Sequence, residues 1–182
     1  MSYRVLYFER DDAQEYKSPG EYPVDALVAA STHDLATLAG FWEGYDLEVR
    51  RRLDLFPSED VRLDVVATRA KELERLRHAL DREQVVPADD SVAKTPVMTP
   101  QLADAIHVYL GCTPSRLFVV QLEDMLGIKE QANMPGTVHE QPNWRRRLPL
   151  TLSQMERDER FLRITQALAA VRPAARTRQA EP

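Results

Sequence analysis

The segment VAASTHDLATLAGFW, residues 28–42, opens as a run of small and apolar residues, breaks at Thr32-His33-Asp34 and continues with helical character. With the two residues before it, the run ALVAAST (26–32) is apolar or small almost throughout, as expected of a parallel strand covered on both faces. The polar break has two readings. Asp34 stands where a helix N-cap belongs, its carboxylate accepting from the free N–H groups of a turn that starts at Leu35. Alternatively, His33 and Asp34 look out from the carboxyl end of a barrel strand, the rim on which enzymes of that architecture set their chemistry.

Two further stretches read as buried strands, RVLYFE (4–9) and RLFVVQLED (116–124), both rich in branched and aromatic residues. The polar RDDAQEYKSPGEYP (10–23) between the first two strands is a loop. Helices are predicted over Leu35–Trp42, Leu47–Leu53 and about 58–82, the last with Glu59 and Asp60 in its first turn and a stripe of Leu63, Val66, Ala70, Leu73, Leu76 and Leu80. VVPADDSVAKTP (85–96) is a Pro-containing link. Thr99, Pro100 and Gly111 mark the start and stop of another helix, in which His107 is a partly buried packing residue. Ser153 and Glu156 form a capping box before a last stripe of Phe161, Ile164, Leu168 and Val171. MLGIKEQANMPGTVHEQPNW (125–144) is long and irregular, which in a compact domain points to function or disorder. Residues 1–172 therefore read as one folded unit and 173–182 as a disordered tail. Strands alternating with helices, each strand apolar throughout, indicate a helix-rich α/β protein with a parallel sheet.

The 182 residues are 43% hydrophobic and 29% charged, ordinary for a soluble domain. One cysteine, Cys112, allows no internal disulfide and fits a reducing, cytoplasmic compartment. No apolar run approaches the ~20 residues that span a bilayer, so no membrane association is expected. The net charge of −5 gives no general attraction to nucleic acid, and WRRRLP (144–149) reads as a solvated or carboxylate-paired surface. Four histidines and one cysteine show no metal-ligand spacing, so no cofactor is implied.

Three motifs in order, ASTHDLATLAGFW (30–42), VVQLEDMLGIKEQANMPGT (119–137) and HEQPNWRRRLP (139–149), resemble the C-terminal part of glycoside hydrolase family 77, the 4-alpha-glucanotransferases or amylomaltases. The resemblance runs from about Val5 to Leu168. It implies the last three β/α units of a (β/α)8 TIM barrel, with RVLYFE as strand six, ALVAAST as strand seven and LFVVQLE as strand eight. In that family an aspartate nucleophile follows strand four and a glutamate acid/base follows strand five, so the resemblance also implies a missing N-terminal barrel half and a chain cut short. Many relatives have proline after THDL where this chain has Ala36, a good helix former that leaves Asp34 in place.

The family chemistry assigns roles. Retaining transfer between α-1,4-glucans or maltooligosaccharides uses a nucleophilic carboxylate and an acid about 5 Å apart. By resemblance Asp34 is a third carboxylate that supports the oxocarbenium-like transition state, and His33 donates to a hydroxyl of the same sugar. Asn133, on the loop after the eighth strand, either bridges vicinal sugar hydroxyls or holds a turn through its own backbone. Glu123 and Asp124 imitate the acid/base motif, but they follow THD in the chain and have structural or supporting roles. Trp144 could stack on a sugar but is expected as a loop anchor packed on the barrel, and His139 is unplaced. Two rivals stand beside this reading. A His-Asp metal phosphohydrolase lacks the further histidines it needs, and a non-catalytic remnant or subunit would work only with a separately encoded N-terminal portion.

Overall fold

A computed structural model describes residues 1–86 and 95–172; most of the expected link and the expected tail lie outside the described residues. Three parallel strands form the sheet in the order β1 (Ser2–Val5), β2 (Ala26–Ala29), β3 (Leu117–Val119). Ser2 pairs with Ala26 and Val5 with Ala29, while Leu27 pairs with Leu117 and Ala29 with Val119. The central strand has the smallest side chains and is the best covered, with Ala26, Val28 and Ala29 all buried.

The first and third strands are shorter than the apolar runs that predicted them. Leu6, Tyr7 and Phe8 leave the sheet as a 3-10 turn. Leu6 and Tyr7 turn inward, where the Tyr7 hydroxyl donates to the Ala36 carbonyl (3.1 Å) and its ring stacks on Phe41 with centroids 4.2 Å apart. Tertiary burial here wins over β-propensity. β3 ends at Val119, and both Leu117 and Val119 are exposed, so its outer side has no cover among the described residues.

Seven helices surround the sheet among the described residues: α1 (Leu38–Glu43), α2 (Tyr45–Arg52), α3 (Glu59–Arg82), α4 (Pro100–Gly111), α5 (Leu122–Leu126), α6 (Leu152–Met155) and α7 (Glu159–Val171). The core joins Val28 to Leu38, Phe41 and Trp42 of α1, Leu76 and Leu80 of α3, and Leu102, Ile106, Tyr109 and Leu110 of α4. His107 is fully buried rather than partly so, with its Nδ1 2.7 Å from the Ala103 carbonyl. Only the C-terminal half of the α3 stripe joins the core; Leu63 and Val66, at its N-terminal end, are exposed. Their place is taken by charge: Arg69 reaches inward to hold both oxygens of Asp46 at 2.9 Å and lies over the Phe41 ring.

The helix starts show where local rules shift by a few residues. Thr99 caps α4 as its sequence predicts. The expected Ser153/Glu156 box is replaced by Thr151 and Gln154, which cap α6, and Asp158 then caps α7. Asp34 caps nothing. α1 begins at Leu38, and the side chain of Thr37 accepts from the Gly40 N–H. No helix among the described residues is long and apolar enough to cross a membrane.

Candidate functional site

The turn between β2 and α1 is built by Thr32, whose carbonyl accepts from the Leu35 N–H (3.1 Å) and whose hydroxyl accepts from the Asp34 N–H (3.3 Å). That compact bend frees the Asp34 side chain from capping. It puts His33 and Asp34 just past the carboxyl end of the central strand, with side chains 56% and 47% exposed. His33 Nε2 stands 3.2 Å from Asp34 Oδ2.

The segment after α5 comes to meet this turn. Asn133 Nδ2 donates to Asp34 Oδ1 at 2.7 Å, and the Asn133 backbone N–H donates to the His33 carbonyl at 3.0 Å. The structure thus brings His33, Asp34 and Asn133 into direct contact, on the edge where both β2 and β3 end. Each Asp34 oxygen has its own neighbour, an amide on one side and an imidazole on the other. Gln131, a residue that sequence reasoning passed over, donates to the Asn133 carbonyl (2.6 Å) and approaches the Asp34 carbonyl (3.4 Å). Nothing in its immediate sequence distinguishes it from any loop glutamine.

Trp144 departs from its expected role. It is 65% exposed, has a left-handed backbone (φ 60°) and sets its ring 4.9 Å from the His33 ring at a 49° tilt. Its backbone N–H is tied to the Ala132 carbonyl (3.0 Å), so the tryptophan faces the His33 side of the rim. A cleft of about 490 Å³ runs beside it, lined in part by Glu123, Glu130, Arg146 and Arg147. A second cleft, of about 290 Å³, opens at Asp34 and is walled by Phe8, Ala36, Phe41, Arg50 and Met134. His139 takes no part in the cluster. No group of three or more His, Cys, Asp or Glu side chains among the described residues is arranged to hold a metal ion.

Behind the rim, two anchors hold the loops together. Thr37 Oγ1 donates to the Ile128 carbonyl (2.6 Å). At Gly40 the backbones come so close that a Cβ would stand 2.5 Å from the Lys129 carbonyl oxygen, which only glycine permits without movement. Asp124, paired in the sequence with Glu123 as an acid/base look-alike, is buried under the turn and accepts from the Leu38 N–H at 2.7 Å. Burial pushes its carboxyl up to about 7.

Comparison with known proteins decides the family, because the 4-alpha-glucanotransferase family model matches residues 1–152. The chain belongs to glycoside hydrolase family 77. It is 32% identical to the 4-alpha-glucanotransferase of Haemophilus influenzae over 84% of this chain and 22% of that protein. With the 4-alpha-glucanotransferase of Mycobacterium bovis it shares 31% identity over 91% of this chain and 23% of the relative. The crystal structure of amylomaltase from Corynebacterium glutamicum superimposes with a TM-score of 0.77 at 28% identity, covering 92% of this chain and 25% of that one. The chain therefore spans about a quarter of the length of the family 77 proteins it matches. The helix-rich fold around a small parallel sheet is shared with that amylomaltase.

Proposed function

We propose that this chain forms the last three β/α units of a (β/α)8 barrel and supplies the supporting rim of a retaining 4-alpha-glucanotransferase. In this reading β1, β2 and β3 are strands six, seven and eight. The nucleophile and the acid/base stand on barrel strands outside these 182 residues, and the chain works in the cytoplasm, where the lone Cys112 stays reduced. Three parallel strands in sequential order, with no strand beyond either outer one among the described residues, support the placement.

The observation that carries the functional reading is the Asn133–Asp34–His33 contact. An α-1,4-glucan presents vicinal hydroxyls, each a donor and an acceptor. A carboxylate flanked by an amide and an imidazole offers matching acceptors and donors within the span of one sugar ring. As the nucleophile displaces the leaving glucan and the ring flattens toward an oxocarbenium ion, a negative charge fixed against the hydroxyls stabilises that state over the ground state. Because the rim is built on a strand end and clamped by Asn133, it is preorganised and spends little on reordering when charge develops. In this reading neither missing role falls to the two look-alike carboxylates: Asp124 lies beneath the turn, and Glu123 lines the cleft beside Trp144 and not the one at Asp34.

The test joins this chain to the remaining strands of a family 77 barrel, fused or co-expressed, and follows glucose and longer oligomers formed from maltotriose. Transfer should appear only in the joined protein, and Asp34→Asn should lower turnover ~100-fold or more. Near-normal transfer by the joined protein carrying Asp34→Asn would remove Asp34 from catalysis. Complete inactivity of the joined, folded protein would favour a non-catalytic remnant.

A further inference from the structure

Asp124 has a position that its sequence motif does not explain. It is 3% exposed, and its two oxygens reach the two ends of the turn that carries His33 and Asp34. Oδ1 accepts from the backbone N–H of Leu38, where α1 begins (2.7 Å). Oδ2 lies 3.4 Å from Oγ of Ser31, the fully buried residue where β2 gives way to the turn. Ser31 Oγ in turn donates to Gln121 Oε1 at 2.6 Å.

We propose that Asp124 is a positioning residue for the rim: its carboxyl ties both ends of turn 32–37, and a proton gained or lost there changes how His33 and Asp34 are held. The proposal rests on the rim reading above for its catalytic meaning, whereas the clamp itself needs no glucan. With Oδ2 protonated, every group has a partner. Oδ2–H donates to Ser31 Oγ, the Ser31 hydrogen goes to Gln121, and the Leu38 N–H goes to Oδ1. Without that proton, Ser31 has one hydrogen for two acceptors, and a buried acceptor left without a donor is costly. The Ser31 hydrogen then swings to Oδ2, and either the Gln121 amide reverses to donate to Ser31 or the turn shifts, so the tie is rearranged in both cases.

Surrounding charges do little to relieve this. Desolvation is the main cause that raises the Asp124 carboxyl to about 7; the Leu38 hydrogen bond opposes it, Glu123 on the same helix raises it further, and the Ser31 hydroxyl draws it back a little. The Tyr7 phenol, from the 3-10 turn, is itself pushed up by burial and by Asp124, and its hydrogen is already given to Ala36. Asp104 of α4 and Arg160 and Arg163 of α7 line the adjoining cleft. There Arg163 is paired with Asp104, and Arg160 with Asp158 and the Leu126 carbonyl.

The experiment is an NMR titration through neutral pH of the 15N-labelled 182-residue chain, at a concentration at which light scattering shows no association. It follows the Leu38 amide, the Asn133 side-chain amide and the His33 ring, with the Trp42 indole as a marker of the folded core. In the wild type the Leu38 signal should inflect at about 7. In Asp124→Asn that inflection should vanish and the Asn133 and His33 signals should move from their wild-type positions while Trp42 holds. Ser31→Ala, which cuts one end of the tie, should move Asn133 in the same direction; it decides the matter if Asp124→Asn does not fold. Asn133 and His33 signals unchanged in the folded variants would overturn the proposal. If these shifts occur but maltotriose perturbs no rim signal in the joined barrel, the clamp stands and the glucan reading falls.

Discussion

Replacing His107 with leucine should make the chain gain more stability on acidification than the wild type does, because it removes one of two opposing proton linkages. His107 is fully buried, and its Nε2 has no hydrogen-bond partner among the described residues. Burial holds its ring at about 4, against an ordinary value of 6.5. As pH falls through 6.5 the unfolded chain takes a proton that the folded chain refuses, so stability is lost until the pH reaches about 4. That gap corresponds to about 3 kcal/mol. Asp124 has the opposite sign: its carboxyl is raised from 3.8 to about 7, so between those values the folded chain keeps a proton that the unfolded chain releases. Stability from that source grows as pH falls through the window, by about 4 kcal/mol. The two slopes oppose each other in the wild type. His107→Leu leaves only the Asp124 slope, and Asp124→Asn leaves only the His107 slope. Urea unfolding followed by the fluorescence of buried Trp42, at pH steps across the window, gives all three curves, and titrations common to the three proteins drop out of the differences. Two variant curves running parallel to the wild type would defeat this account, because neither buried group would then exchange its proton on folding.

Other outcomes follow from the same geometry. Gly40→Ala gains roughly 1 kcal/mol of helix propensity but drives a Cβ against the Lys129 carbonyl at 2.5 Å; overpacking of about 1–3 kcal/mol should prevail, read as a lower urea midpoint. Asp46→Asn removes the closer of two carboxylates paired with the mostly buried Arg69, which keeps Glu72 and the Phe41 carbonyl, and should destabilise by about 1.5–3 kcal/mol in the same assay. The 182-residue chain by itself should produce no glucose from maltotriose and should associate in light scattering, because both outer sheet edges and the exposed Leu117 and Val119 are unpartnered among the described residues.

Where local rules and burial agreed, the fold was legible in the sequence. Parallel strands at the three apolar runs, the Thr99-Pro100 start of α4 and the span of α3 needed only period and capping chemistry. The misreadings come from interactions between distant residues. RVLYFE looks like strand to its end, but Tyr7 finds better partners in the Phe41 ring and in the Ala36 carbonyl, 29 positions away. Asp34 looks like a cap because Ser, Thr, Asp and Asn all suit that place, and Thr37, a little further along, takes it. His33, Asp34 and Asn133 stood out through their family motifs, whereas Gln131, Trp144 and the Asp124 tie emerge only when two remote loops meet. No short-range pattern encodes that meeting.

The bonds that assemble the rim join residues far apart in the chain: Leu38 to Asp124 across 86 positions, Thr37 to Ile128 across 91 and Asp34 to Asn133 across 99. In kinetic terms this is a site of high contact order. Loop closure over ~90 residues must occur before any of these bonds is rewarded. The Thr32 bend can form early, from its own neighbours, yet it holds no functional geometry until α4 has packed and residues 121–133 have come back across the sheet. The rim therefore carries the same long-range closure cost as the pairing of β2 with β3, whose partners Leu27 and Leu117 are equally remote. A nascent chain released before Gln121 would contain both His33 and Asp34 and position neither.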